Sequence, residues 1–125
     1  MTFEEALTFE LEQLPGLSGS VYPVFESGRA EPYVVYQSSE GRRTKALDGY
    51  KEGRVVPCEL HVIAKRYGDL KQYVRDVIDA LISFEGRIIG EDGPHVQELT
   101  YEEPVELYEE KPKLYRCVIE FDVYY

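Results

Sequence analysis

Val55-Val56-Pro57-Cys58-Glu59-Leu60-His61-Val62-Ile63-Ala64-Lys65-Arg66 holds the clearest structural signal in the chain. Val56, Cys58, Leu60, Val62 and Ala64 alternate with Pro57, Glu59, His61, Ile63 and Lys65. A period of two with one apolar side marks a strand that packs on a core along a single face. Pro57 has no N–H to give, which places the early part at a sheet edge or before the ladder begins. The period then changes. Tyr67-Gly68 reads as a turn and Asp69 as the cap of a helix from Leu70 to Phe84. Leu70, Tyr73, Val74, Val77, Ile78, Leu81 and Ile82 form its apolar stripe, while Lys71, Gln72, Arg75, Asp76 and Asp79 face water. Gly86 supplies the C-terminal stop.

The N-terminal segment reads as another helix. Thr2 and Glu5 have capping-box spacing, Phe3, Ala6, Leu7, Leu11 and Leu14 recur at helical intervals, and Pro15-Gly16 ends the run. Val21 to Phe25 is a short extended piece broken by Pro23, and a loop follows from Ser27 to Glu31. Tyr33-Val34-Val35-Tyr36-Gln37-Ser38 is rich in β-formers and reads as a strand. The polar, glycine-punctuated stretch from Glu40 to Gly53 is either a long loop or the tip of an extended hairpin. Beyond the second helix come a Gly90-to-Pro94 turn and a strand from His95 to Tyr101. Glu102-Glu103-Pro104 interrupts, a tract with Val105, Leu107 and Tyr108 follows, and Lys111-Pro112 turns the chain. The last strand runs from Leu114 to Tyr125, with Tyr115, Cys117, Ile119, Phe121, Val123 and Tyr125 on one face. Two helices beside a mostly antiparallel sheet give an α+β fold, with both helices expected on one sheet face. The 125 residues, with no repeat or linker, suit a single domain over 1–125.

Composition narrows the function classes. Lys and Arg number 14 against 24 Asp and Glu, a formal charge of −10. Duplex-DNA binding needs a concentrated basic face, so this balance speaks against it. No apolar run approaches the roughly 18–20 residues that cross a bilayer, so no membrane role is expected. Met1-Thr2-Phe3-Glu4-Glu5 lacks the basic start and apolar stretch of a secretory leader. Cys58 and Cys117 make no disulfide framework, and folding in the cytosol with reduced thiols is expected.

Catalytic chemistry finds little to work with. His61 and His95 sit in strand-like segments, and no zinc, P-loop, dinucleotide or nucleophile-elbow spacing occurs. Glu59-x-His61 places two potential ligands on one strand face. Cys58 and Cys117 fall on apolar faces and read as core thiols that could neighbour each other across the sheet. No catalytic residue, cofactor or metal site is expected.

Charge placement is more informative. Arg42, Arg43, Lys45, Lys51 and Arg54 outnumber Asp48 and Glu52 in one segment. Glu98, Glu102, Glu103, Glu106, Glu109 and Glu110 form a tract without a basic residue. Such patches neutralise each other within the fold, meet between subunits and steer assembly, or stay solvated. Tyr50 lies in the basic segment and Tyr101 and Tyr108 in the acidic one. Tyrosine suits interfaces because its ring buries area while its hydroxyl stays hydrogen-bonded. These patterns read as an interaction protein that self-assembles.

The ordered set of pieces resembles the tail completion, or tail terminator, proteins of long-tailed bacteriophages and prophages. An amphipathic helix leads to Val21-Tyr22-Pro23, then to Pro32-Tyr33-Val34-Val35-Tyr36-Gln37 and Leu47-Asp48-Gly49. The alternating strand Val56 to Ala64 and the helix Tyr67 to Leu81 follow. Leu114-Tyr115-Arg116 and Phe121-Asp122-Val123-Tyr124-Tyr125 close the chain. The acidic tract Glu102 to Glu110 departs from the family pattern. The resemblance implies a virion protein assembled in the host cytoplasm and located at the head-proximal end of the tail. It implies a homo-oligomeric ring, commonly a hexamer, that stops growth of the tail tube. It also implies a surface for the head–tail connector, with DNA passing through the lumen. Its partners would be the tail tube protein and the connector protein, and no chemistry is required. The expected subunit or partner interface is Arg42, Arg43, Lys45, Tyr50 and Lys51 on one side and Glu102, Glu103, Glu106 and Tyr108 on the other. Two other readings stand beside it: a different connector or neck adaptor, or a small α+β enzyme or ligand-binding protein using Cys58, Glu59 and His61.

Overall fold

The protein is described by a computed structural model covering residues 1–23, 30–111 and 113–125. The expected extension to Val24 and Phe25, most of the Ser27-to-Glu31 loop, and Pro112 lie outside the described residues. The elements run α1 (Phe3–Glu12), β1 (Val21–Pro23), β2 (Tyr33–Gln37), β3 (Arg42–Ala46), β4 (Gly49–Ala64), α2 (Tyr67–Ser83), β5 (Glu98–Tyr101), β6 (Val105–Glu109) and β7 (Leu114–Tyr124). The fold is α+β.

The seven strands form one sheet in the order β1-β2-β4-β7-β5, with β3 paired to β4 and β6 to β7. Every pairing is antiparallel except β1 with β2. The long central pair runs from Val55↔Tyr124 to Ala64↔Tyr115. This register puts the apolar residues of both strands on one face, where Cys58, Leu60, Val62, Cys117, Ile119, Phe121 and Val123 are buried. Phe3, Ala6, Leu7 and Leu11 of α1 and Leu70, Val74, Val77 and Leu81 of α2 close over them in the same core. Each of the Leu, Val, Ile and Phe side chains taken fully from water contributes about 1.5–3 kcal/mol, so helices and sheet hold each other in place. Among the described residues no helix covers the opposite face, which has a small cluster of Tyr33, Val35 and Ile63 with Tyr22 and Leu114 packed against it.

Several sequence expectations shift. The capping box at Thr2 is present in both directions, but α1 ends at Glu12 and leaves Leu14 in the following turn. Tyr67-Gly68 is not a turn: it opens α2, whose N-cap is Arg66 without a side-chain bond. Asp69 sits inside the first turn, where its charge still suits the helix dipole. Ile82 leaves the stripe and is half exposed, because the core reaches only Leu70, Val74, Val77 and Leu81 in full. The strand expected from His95 is regular only over Glu98–Tyr101; His95 makes one bridge to Ile88. Cys58 stands opposite Phe121 and Cys117 opposite Val62, so the two thiols are four residues apart along the sheet and not neighbours.

Candidate assembly interfaces

The stretch from Glu40 to Gly53 resolves into a hairpin. β3 pairs with the beginning of β4 from Arg42↔Val55 to Ala46↔Gly49, with a bulge between Arg43 and Lys45. Leu47-Asp48 is its two-residue turn. Gly41 takes φ +67° as the chain enters β3. The β4–β7 ladder ends at Val55↔Tyr124, followed by reciprocal backbone bonds between Arg54 and Tyr125. Past that point no other described strand lies beside the hairpin. All five β3 residues are exposed, Tyr50 is 65% exposed and Leu47 at the tip is fully so. The result is an arm projecting from one side of the sheet.

The arm's charges are unequally committed. Lys51 pairs with Asp48 at 2.9 Å, and Arg54 pairs with Glu40 at 2.5 Å. Arg43 Nε donates to the Lys51 carbonyl at 2.8 Å, and Lys45 Nζ lies 5.1 Å from the Tyr50 ring centroid. Arg42, Arg43 and Lys45 meet no carboxylate among the described residues. They line a hollow of about 660 Å3 with Thr44, Tyr50 and Val55.

The acidic tract lies on the other side of the sheet, on β5, β6 and the loop between them. It too divides. Glu106 forms an ion pair with Lys71 of α2; the bond from Lys71 holds its carboxyl below the usual carboxylate range. Glu109 accepts from Arg116 Nε at 2.5 Å. Glu98, Glu102, Glu103 and Glu110 make no ion pair among the described residues. Tyr108 packs on Tyr115 with ring centroids 4.8 Å apart, and Tyr67 packs on Tyr115 at 5.5 Å.

Within one copy the structure therefore brings Arg42, Arg43, Lys45, Tyr50 and Lys51 together on the arm. It groups Glu102, Glu103, Glu106 and Tyr108 on the far side, and keeps the two groups apart. β4 and β7 stand between them, so the patches do not neutralise each other inside the fold. Sequence reasoning missed a third feature. The helix-free face forms an open groove of about 580 Å3 whose lining includes Glu59, Glu102, Glu120 and Asp122. Glu59↔Glu120 and Pro57↔Asp122 are cross-strand pairs, so pairing β4 with β7 would have found the cluster. Alternation gave the face of each strand but not the register between them.

The residues of the enzyme alternative do not converge. Cys58 Sγ donates to the Val56 carbonyl oxygen at 3.7 Å in the core, and burial pushes its thiol up to about 12. Burial likewise pushes Cys117 to about 11, so neither is a thiolate nucleophile near neutral pH. Glu59 and His61 point to the other face. Arg116 Nη1 lies 2.9 Å from His61 Nδ1. A guanidinium only donates, so Nδ1 accepts and the ring proton sits on Nε2, 3.5 Å from Glu59 Oε1. With the Arg116–Glu109 pair this makes a chain of contacts that ties β4 to β7 and β6. No group of three or more His, Cys, Asp or Glu among the described residues could hold a metal ion. Nor is any described helix long and apolar enough to cross a membrane.

The sequence profile of the tail completion protein gp17 family matches residues 6–125. The chain belongs to the tail completion protein gp17 family. It is thus a phage tail structural protein and a virion component. Among solved structures, a chain from the virion of a native gene transfer agent particle has the same fold. Its TM-score is 0.72 at 18% identity, over 98% of this chain and 92% of that one. Among curated proteins none matches in sequence.

Proposed function

We propose that this chain, as a single tail-completion domain over 1–125, caps the head-proximal end of a phage tail tube. It stops tube polymerisation and offers the surface that the head–tail connector joins. The family match over nearly the whole chain is the observation that carries this reading. The separated charge patches support assembly into a ring, with six copies as the family expectation. A basic arm on one side and an acidic tract on the other suit head-to-tail contacts, which close when the rotation per copy divides the circle. Arg42, Arg43, Lys45, Tyr50 and Lys51 would face Glu102, Glu103, Glu106 and Tyr108 of the next copy. The task is positional, so the reading needs neither catalysis nor a cofactor.

At −10 per copy, six copies carry about −60, and an acidic lumen would let DNA pass without sticking. Electron microscopy of tails assembled without this protein tests the main reading. Overlong tubes are the expected result. Tubes of normal length that fail to join heads would instead assign the chain to the connector.

A further inference from the structure

An edge strand exposes a row of unpaired N–H and C=O groups, and folded proteins usually blunt it. Three of the four edges here are blunted. β1 is three residues long and ends in Pro23. On β5 the outward Leu99 N–H is taken by Glu85 Oε1 at 2.9 Å. β3 carries a bulge and the cations Arg42, Arg43 and Lys45. β6 has none of these devices except charge, and its two carboxylates, Glu106 and Glu109, are paired within the copy to Lys71 and Arg116. It is five residues long, contains no proline, runs in unbroken register with β7, and exposes Val105, Leu107 and Tyr108. No other described strand pairs with it.

The register shows which groups are open. Tyr125 bonds Arg54, so the odd residues at this end of β7 face β4 and the even residues face the other way. Glu102 N–H donating to the Glu120 carbonyl agrees. Val118, Arg116 and Leu114 thus bond Val105, Leu107 and Glu109, which leaves the N–H and C=O of Glu106 and Tyr108 pointing away from the sheet. On the arm the same reasoning turns Arg42 toward Val55 and Arg43 outward.

We infer that β3 of one copy adds to the free edge of β6 in the next, making a sheet continuous across the subunit boundary. The inference rests on the ring reading above and names its contact. Both strands are five residues long. Among the described residues, Arg42, Arg43 and Lys45 have no carboxylate partner, and Glu102, Glu103 and Glu110 around β6 have no cation. Two β3 edges repel each other, and so do two acidic β6 regions, so the charges favour the mixed pairing alone. Because β3 and β6 lie on opposite sides of the sheet, each copy uses both once, which is a head-to-tail contact rather than a two-fold one.

Two measurements on the full chain test this. Tyr108→Pro removes an edge N–H that β7 does not use, whereas Tyr108→Ala removes the ring and keeps the N–H. Both variants lose the aromatic ring and should fold, so the N–H alone separates them: Tyr108→Pro should weaken self-association about tenfold or more beyond Tyr108→Ala by native mass measurement. Equal association of the two would overturn the inference. If Tyr108→Pro does not fold, hydrogen exchange on the unaltered protein decides. Amides of Glu106, Tyr108 and Arg43 should slow together by about tenfold or more on assembly. Protection on β6 without Arg43 would mean that another chain occupies the edge, and no protection would mean that nothing does. Either outcome overturns the inference, as does a protein that never associates with itself. Tube length is read separately: normal tail lengths with unprotected edges would leave the capping role standing, and overlong tails despite β3–β6 pairing would remove only that role.

Discussion

Glu10 shows how much one polar side chain on a helix can fix. It accepts from Arg87 Nη2 at 2.7 Å and Nη1 at 3.2 Å, and from the Gly90 N–H at 2.7 Å. Those contacts tie α1 to the segment that follows α2, across almost eighty residues. The Arg87 hydrogen bonds hold the Glu10 carboxyl below the usual carboxylate range. A lowered folded-state pKa gives stability that is complete above the unfolded value and lost as pH falls through the folded one. Glu10→Gln should therefore cost about 1–2 kcal/mol at pH 7, allowing for the solvent exposure of Arg87. The gap in thermal midpoint between variant and parent should narrow below about pH 4.5. A gap that stays constant down to pH 3 would contradict this role. In the sequence Glu10 is only one of several acids on a helix face, because its partners depend on how two distant segments pack.

At the level of the element, the arm depends on its entry. At Gly41 a Cβ would lie 2.2 Å from the Val55 carbonyl oxygen and 2.8 Å from a Val56 methyl, and the positive φ is itself unfavourable for other residues. The first of these contacts is to backbone and cannot be relieved by a rotamer change. Gly41→Ala should cost about 1–3 kcal/mol and splay β3 from β4. The check is a lowered unfolding midpoint together with faster exchange of the β3 amides; exchange at the parent rate would show that the arm does not depend on this glycine. Element identity was largely legible here. Alternation revealed the second half of β4, and the 3.6-residue stripe revealed α2. The first half of β4 was not, because Gly49 to Gly53 has no buried face and so no hydrophobic period. Its strand character comes from pairing with β3.

For the whole molecule, the consequence is a polarity of charge across the sheet. A reversal of sign on the arm should act on assembly and not on folding, because Arg42 and Arg43 are exposed. The double variant Arg42→Glu, Arg43→Glu should keep the parent's circular dichroism and unfolding midpoint while failing to complete tail ends. Normal tail joining by that variant would remove the arm from the interface. The effect should also weaken the parent's association as salt rises, since exposed charges are screened over about 8–10 Å at ordinary ionic strength.

The class of the fold, the two helices, the apolar faces of the long strands and the family are legible in the amino-acid sequence. Each of these is written in local periodicity and ordered short motifs, which need no knowledge of what lies across the sheet. Register and strand order came only with the packed fold. It separated Cys58 from Cys117, gathered Glu59, Glu120 and Asp122 into one groove, and neutralised Lys51, Arg54, Glu106 and Glu109 locally. It also set the remaining charges on opposite sides of the sheet. The physical reason is that a strand's own pattern says which side chains face the core, whereas which strand lies next to it, and in what register, is settled only when all the strands share one core.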